Sequence, residues 1–307
     1  MALNKISRFQ HKIIILEQVK CMTSEHLQVL RELGFQPECC MSIGHDELGR
    51  HGVYQCGEQI IKLYGNGVPP ASARARAEQL YTERARENGV CAPRVLRAGT
   101  VLGISYTISQ RLEGVIACSP PSDALAREMG IMLGKLHRPF LSDGTAWHNT
   151  WLQELRQAVQ NARATAAGIE ALSLCDRTLA YIESISPHLF SLLPMGAVHG
   201  DFSTRNVLCM DGHVCAIIDF ELAHDGNVEL ELARFYQKEL RGSSARIAAF
   251  QTGYAENAFL APGFGRRLPL YLLGDALIGC SWSKNTVDEF FDECCAILRR
   301  FVMRREH

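Results

Sequence analysis

Nothing in the 307-residue sequence stays apolar for long enough to cross a bilayer. Apolar runs such as residues 13–16 and 268–273 fall far short of the roughly 20 residues a membrane-spanning helix needs. Residues 1–12 are polar and lack the apolar stretch of a signal peptide. The expectation is a cytoplasmic chain with no membrane partner. An excess of charge is missing too. The 32 Lys and Arg stand against 33 Asp and Glu, a net of −1, whereas a nucleic-acid partner calls for a strongly basic face. There is no low-complexity tract and no internal repeat. With 47% apolar and 21% charged residues, the chain has the composition of one that folds rather than one that stays disordered. Its length suits two domains or one bilobal unit.

Cysteine is plentiful, at twelve residues, but the spacing that would give it a purpose is absent. No pair reads C-x-x-C, so the sequence carries neither a zinc knuckle nor a redox dithiol motif. Most of the cysteines lie in apolar segments, where a free thiol behaves as a small hydrophobe. The expectation is buried free thiols, with neither a metal nor a disulfide framework.

What is present divides into two characters. Residues 23–34 read as a helix, capped at Thr23 or Ser24 and stopped by Gly34. Strand character follows at 38–43, 52–56 and 59–64, punctuated by glycines. A charged helix over 71–88 ends at Gly89, and strands at 94–98 and 104–109 complete a small sheet. Beyond Gly114 helices dominate. Leu125, Met129, Leu133 and Leu136 recur at helical spacing and form one buried face. Further helices are expected over 151–167 and 169–185. A hairpin follows, with 207–210 and 214–219 joined at Asp211-Gly212. In the final helix Thr286 and Glu289 have capping-box spacing.

The chemistry concentrates in His199-Gly200-Asp201-Phe202-Ser203-Thr204-Arg205-Asn206 and in Asp219, which ends the apolar strand Ala216-Ile217-Ile218. The Asp-Gly hairpin folds the chain back and brings Asn206 and Asp219 to one edge. Hard oxygen ligands converging there suit Mg²⁺, which takes few protein oxygens and completes its shell with phosphate. Asp201, a few residues away, is placed to accept a hydroxyl proton. Each residue alone is common; the joint pattern is not.

H-G-D-x-x-x-x-N followed by an apolar strand and Ile218-Asp219-Phe220-Glu221 resembles the catalytic signature of the aminoglycoside phosphotransferase and choline kinase-like superfamily. These small-molecule kinases share the protein-kinase fold. The resemblance implies an α+β, bilobal, protein-kinase-like chain. A small β-rich N-terminal lobe, residues 1–109, would bind nucleotide. A larger, mainly α-helical C-terminal lobe, residues 110–307, would carry catalysis and the acceptor. It further implies ATP or GTP with Mg²⁺ as cofactors and a small hydroxyl-bearing molecule as acceptor. Asp201 would be the catalytic base, and Asn206 and Asp219 the metal ligands. Lys62, at the end of Gln59-Ile60-Ile61, would hold the α and β phosphates, steadied by Glu78 on the next helix or by Glu83. Ser109 and Arg111 would meet the base through the Ser109 carbonyl and the Arg111 amide. His137 closes an L-x-x-L-H helix end as a structural residue, and His199 supports the loop. Arg205 would help at the γ-phosphate or form a salt bridge within the loop.

Two features depart from the family pattern. The phosphate-covering loop should lie in residues 42–52, yet Gly44-His45-Asp46-Glu47-Leu48-Gly49 is not clean in glycine and carries acids. Glu231 stands where the family has an Asp that braces the catalytic loop, and the neighbouring Pro is missing. The acids Asp275, Asp288, Glu289, Asp292 and Glu293 could receive the ammonium groups of an amine-rich acceptor. His-Gly-Asp, rather than the His-Asn-Asp more usual in choline kinases, favours an aminoglycoside-type antibiotic. A metabolic kinase acting on choline, ethanolamine, homoserine or a sugar is the alternative, with Trp282 and Tyr271 as candidates for an aromatic cage. A catalytically dead binding module would not need Lys62, Asp201, Asn206 and Asp219 together.

Overall fold

The computed structural model describes residues 22–43, 51–67, 69–164, 169–185, 187–282 and 288–306. In chain order its elements are α1 (Ser24–Glu32), β1 (Met41–Ser42), β2 (His51–Cys56), β3 (Gln59–Tyr64), α2 (Ala71–Glu87), β4 (Val95–Val101), β5 (Ile104–Gln110), β6 (Val115–Ile116), α3 (Asp123–His137), β7 (Phe140–Asp143), α4 (Thr145–Ala164), α5 (Ile169–Ser184), β8 (Leu192–Val198), β9 (Val207–Met210), β10 (His213–Ile217), β11 (His224–Asn227), α6 (Val228–Lys238), α7 (Ser244–Tyr254), α8 (Phe264–Trp282) and α9 (Asp288–Glu306). The fold is α+β, with six of the strands before residue 117 and seven of the helices after residue 122. Packing groups the chain into two units: Met1–Cys118 with His199–His224, and Ser119–Val198 with Asp225–His307. The division expected at residue 110 is a single cut, so it differs from this grouping by leaving 110–118 and 199–224 with the later part.

In the first unit an antiparallel sheet runs in the order β1-β2-β3-β5-β4. Ile61 and Leu63 of β3 and Ile108 of β5 are buried, and with Val29 and Leu30 of α1 they build its core. Burying each such side chain contributes about 1.5–3 kcal/mol. The cap expected for α1 is Thr23, whose hydroxyl accepts from the His26 N–H at 3.2 Å. The strand expected over 38–43 shortens to β1, because Pro37 starts a 3-10 turn over Pro37–Cys39. That turn sets up the main correction to the cysteine reading: Cys40 and Cys56 form a disulfide, with Cα atoms 4.5 Å apart. The pairing follows from register. Met41 faces Gln55 and Ser42 faces Tyr54, so one step further Cys40 lies opposite Cys56. A second sheet, β10-β9-β6, contains the expected hairpin. Asp211 and Gly212 both take positive φ, 52° and 82°, as a two-residue turn of this hand requires.

The second unit is mostly helical. Ser122 caps α3 by accepting from the Leu125 N–H at 3.2 Å, and Leu125, Met129, Leu133 and Leu136 are all buried. α3 crosses α7 so closely that a Cβ on Gly130 would run into the Phe250 carbonyl oxygen. His137 is structural: Nε2 donates to the Glu231 carboxylate at 2.9 Å, and Nδ1 meets the Tyr254 hydroxyl at 2.9 Å. Trp151, Leu155, Phe190, Tyr271, Leu277 and Leu298 lie in the core of α4, α5, α8 and α9, and Cys175, Cys280, Cys294 and Cys295 are buried among them. The sheet β11-β8-β7 was not foreseen; β8 contains Pro194 and Gly196, residues that weaken a strand pattern. The capping box at Thr286 lies outside the described residues. Among the described residues no helix is long and apolar enough to cross a membrane.

Candidate active site

The residues singled out in the sequence for the phosphates, base, metal and proton fall in the first unit, on β3, α2, the end of β5 and the segment around the β9–β10 hairpin. β9 and β10 pair so that Val207 faces Ile217. The Ile218 N–H then donates to the Asn206 carbonyl at 2.9 Å, which brings the residues flanking the hairpin side by side. Asp219, one step on, has φ +69°, a left-handed conformation that costs a non-glycine residue roughly 1–3 kcal/mol. Strain of that kind persists only where the surroundings enforce it.

Between Val198 and β9 the chain makes a loop tied to Ile218 by His199. The Asp201 N–H donates to His199 Nδ1 at 3.3 Å, so Nδ1 is an acceptor and Nε2 carries the proton given to the Ile218 carbonyl at 3.0 Å. His199 is wholly buried and packs 4.7 Å from the Phe220 ring. Gly200 has φ +84°, and a Cβ there would collide with the Leu222 carbonyl oxygen. His199 and Gly200, with Asn206, set the height of Asp201. Asn206 Nδ2 donates to the Asp201 carbonyl at 2.8 Å and to its carboxylate Oδ2 at 3.1 Å. The Asp201 carboxyl faces solvent but is crowded by protein. Loss of surrounding water, then the charge of Asp219, raise its pKa above the ordinary aspartate value, while the exposed Arg205 opposes the rise.

Lys62 points from β3 into a group of carboxylates. Its Nζ pairs with Asp219 Oδ1 and lies 3.4 Å from Glu78 Oε2 and 3.0 Å from Glu221 Oε2. Burial alone would lower the lysine pKa, but Glu78 and Asp219 outweigh it and hold the ammonium well above its usual value. Burial raises Glu78 to about 7 against the pull of Lys62. Of the two glutamates open from the sequence, the geometry selects Glu78. Glu83 is exposed and lies 4.0 Å from Arg86. Two further members of this cluster are Glu221, present in the sequence signature without a role, and the buried Arg74 at 3.6 Å from it, which was missed. Arg74 stands four residues before Glu78, which is the one signal that could have found it.

Ser109 lies within β5, facing Ile60 of β3 and Val95 of β4. The Arg111 N–H donates to the Glu58 carbonyl in the β2–β3 turn at 2.9 Å, so this donor is committed and an adenine contact would require that bond to break. The acids expected to receive an acceptor fare less well. Asp275 is taken by Arg234 at 2.6 Å and Lys238 at 3.2 Å. Glu289, Asp292 and Glu293 are exposed and stand in water. The Asp288 and Trp282 side chains, and the phosphate-covering loop from Gly44 to Gly49, lie outside what is described.

The donor set fits Mg²⁺. Asp219 offers a carboxylate and Asn206 an amide oxygen, its nitrogen being used on Asp201. Among the described residues no group of three His, Cys, Asp or Glu could hold a metal unaided. Mg²⁺ needs no such group, because it draws ligands from water and phosphate.

Solved structures with the same fold include a macrolide 2'-phosphotransferase from Brachybacterium faecium, with a TM-score of 0.61 at 16% identity over 89% of this chain and 96% of that one. An aminoglycoside 2'-phosphotransferase-IIIa in complex with GDP gives 0.64 at 13% identity, over 89% and 94%. A choline/ethanolamine kinase family protein from Mesorhizobium loti gives 0.59 at 16%, over 84% and 87%. These likenesses show a bilobal, protein-kinase-like fold. The sequence pattern of the phosphotransferase enzyme family matches residues 53–270, a span that takes in Lys62, Glu78, Asp201, Asn206 and Asp219, and the chain belongs to that family.

Proposed function

We propose that this phosphotransferase moves the terminal phosphoryl group of ATP, with GTP as the other candidate donor, to a hydroxyl of an aminoglycoside-type antibiotic in the cytoplasm. The observation that carries the nucleotide half of this reading is the cluster of Lys62, Glu78 and Asp219 beside the Asp201–Asn206 loop. Phosphoryl transfer asks for positioning and charge neutralisation rather than covalent catalysis. Lys62 supplies a buried cation for the α and β phosphates, and Glu78 keeps it aimed. Asp201 accepts the proton of the acceptor hydroxyl, its height set by His199, Gly200 and Asn206. Asn206 and Asp219 would hold Mg²⁺, which supplies charge neutralisation on the triphosphate when bound. Ser109 and Arg111 mark the end of β5, where the resemblance puts the base.

The acceptor reading rests on likeness to antibiotic phosphotransferases and on His199-Gly200-Asp201. The C-terminal acids no longer support it, since Asp275 is paired and the described others are solvated. The likeness to the choline/ethanolamine kinase family protein favours a small amino alcohol as the second reading. The test is turnover with ATP and Mg²⁺ against aminoglycosides, macrolides, choline and ethanolamine, with products weighed by mass spectrometry. An added phosphate on an aminoglycoside is expected. Efficient phosphorylation of choline or ethanolamine with every antibiotic untouched would replace the first reading with the second.

A further inference from the structure

The charges around Lys62 close into a ring. Arg74 and Glu78 sit four residues apart on α2, so they project from one face of the helix. Glu78 holds Lys62 at 3.4 Å, Lys62 holds Glu221 at 3.0 Å, and Glu221 holds Arg74 at 3.6 Å. Signs alternate around the four residues, and the helical turn between Arg74 and Glu78 completes the circuit. All four side chains are at most 12% exposed, so none is a solvated surface charge whose pairing would count for little. Arg74 is anchored independently. Its Nε donates to the Pro69 carbonyl at 3.1 Å and its Nη2 to the Gly65 carbonyl at 2.5 Å. Its guanidinium also stands 5.6 Å from the centre of the Tyr64 ring, while Lys62 Nζ stands 5.5 Å from the same ring. A cation with that many attachments is a fixed post, and it fixes Glu221.

We propose that Arg74 and Glu221 are positioning residues for the nucleotide: Glu221, held by Arg74, gives Lys62 a second carboxylate anchor beside Glu78. The proposal rests on Lys62 as the phosphate-binding lysine. An ammonium has three N–H donors, and three carboxylates surround this one. When a phosphate oxygen takes the donor that Asp219 now receives, the ammonium keeps its hydrogen bond to Glu78 and its ion pair with Glu221. One anchor comes from α2 and the other from the segment after β10, so the ammonium is steered along two directions. A single lysine–glutamate pair would leave it free to swing about one.

Two anchors that share one job are non-additive on removal. Calorimetric titration of the full chain with ATP and Mg²⁺ should show Glu78→Gln and Glu221→Gln each weakening affinity by about 3–10-fold. The double variant should exceed the product of the two losses by a factor of roughly 3 or more. Adenosine, which lacks phosphates, separates positioning from general damage, and its affinity should stay within about twofold in every variant. If Glu221→Gln does not fold, Arg74→Lys keeps the charge but loses the fork, and should weaken ATP several-fold with adenosine unchanged. Parent-like ATP affinity in the folded variant overturns the proposal, as does an equal loss toward ATP and adenosine. A parent chain that binds no ATP would sink the nucleotide reading itself, and the proposal with it, before any variant is compared.

Discussion

In the proposed reaction the chemical step turns on Asp201. Its carboxylate receives a hydrogen bond from Asn206, and its backbone is pinned through His199. Asp201→Asn keeps the shape and removes the proton acceptor. The expected outcome is near-parent nucleotide affinity with kcat reduced by about 10²–10⁴-fold, read from steady-state kinetics alongside calorimetry. Turnover within a few-fold of the parent would mean that another group takes the proton. This part of the site was legible because it is local: eight consecutive residues and one strand end carry it. Glu221 and Arg74 were not, since nothing in the sequence says that a residue after Asp219 meets one on α2. The contact joins positions 147 apart and exists only once the sheet and the hairpin are built.

Where a single periodicity governed an element, the element could be read. α3 shows this: its four apolar positions and its serine cap were visible, and its buried face followed. β7 and β8 were invisible for the opposite reason. Neither alternates cleanly, and pairing between Leu141 and Pro194 reflects tertiary context over strand preference. The acids of α8 and α9 illustrate a third case, in which the residue type is plain but its partner is not. Asp275 on α8 spends its charge on Arg234 and Lys238 of α6. Burial pushes its carboxyl up, the two cations pull it down further, and the net pKa lies below the ordinary value. A carboxyl depressed in the folded state stabilises it above the unfolded pKa of about 4, and that contribution disappears as pH falls through the folded value. Asp275→Asn should therefore be less stable than the parent at pH 7. The gap should narrow steadily below pH of about 4, as followed by urea denaturation at each pH. A gap unchanged down to pH of about 2 would show that the ion pairs contribute nothing.

For the molecule as a whole, thiol chemistry gives the most direct check on the packing. Among the described residues Cys39, Cys91 and Cys118 are exposed, and Cys175, Cys209, Cys280, Cys294 and Cys295 are buried. A bulky thiol reagent should modify the first group quickly in the native chain and the second only on unfolding, because reaction needs an accessible thiolate. Peptide mapping without reductant should join Cys40 to Cys56. Rapid native labelling of Cys280 or Cys294 would contradict the buried core of α8 and α9.

The first unit is assembled from two stretches of chain separated by residues 119–198, and this has a consequence for synthesis on the ribosome. Strand β6 finds its partner β9 only after that excursion, with Val115 opposite Cys209, and Lys62 meets Asp219 across 157 positions. A nascent chain grows at about 5–20 residues per second. The lysine and its helix glutamate are therefore exposed to the cell for many seconds before the aspartate that completes their cluster has been translated. Released fragments ending before residue 219 would carry the five-stranded sheet without the carboxylate that closes the cluster around Lys62, so that cluster is completed late and all at once.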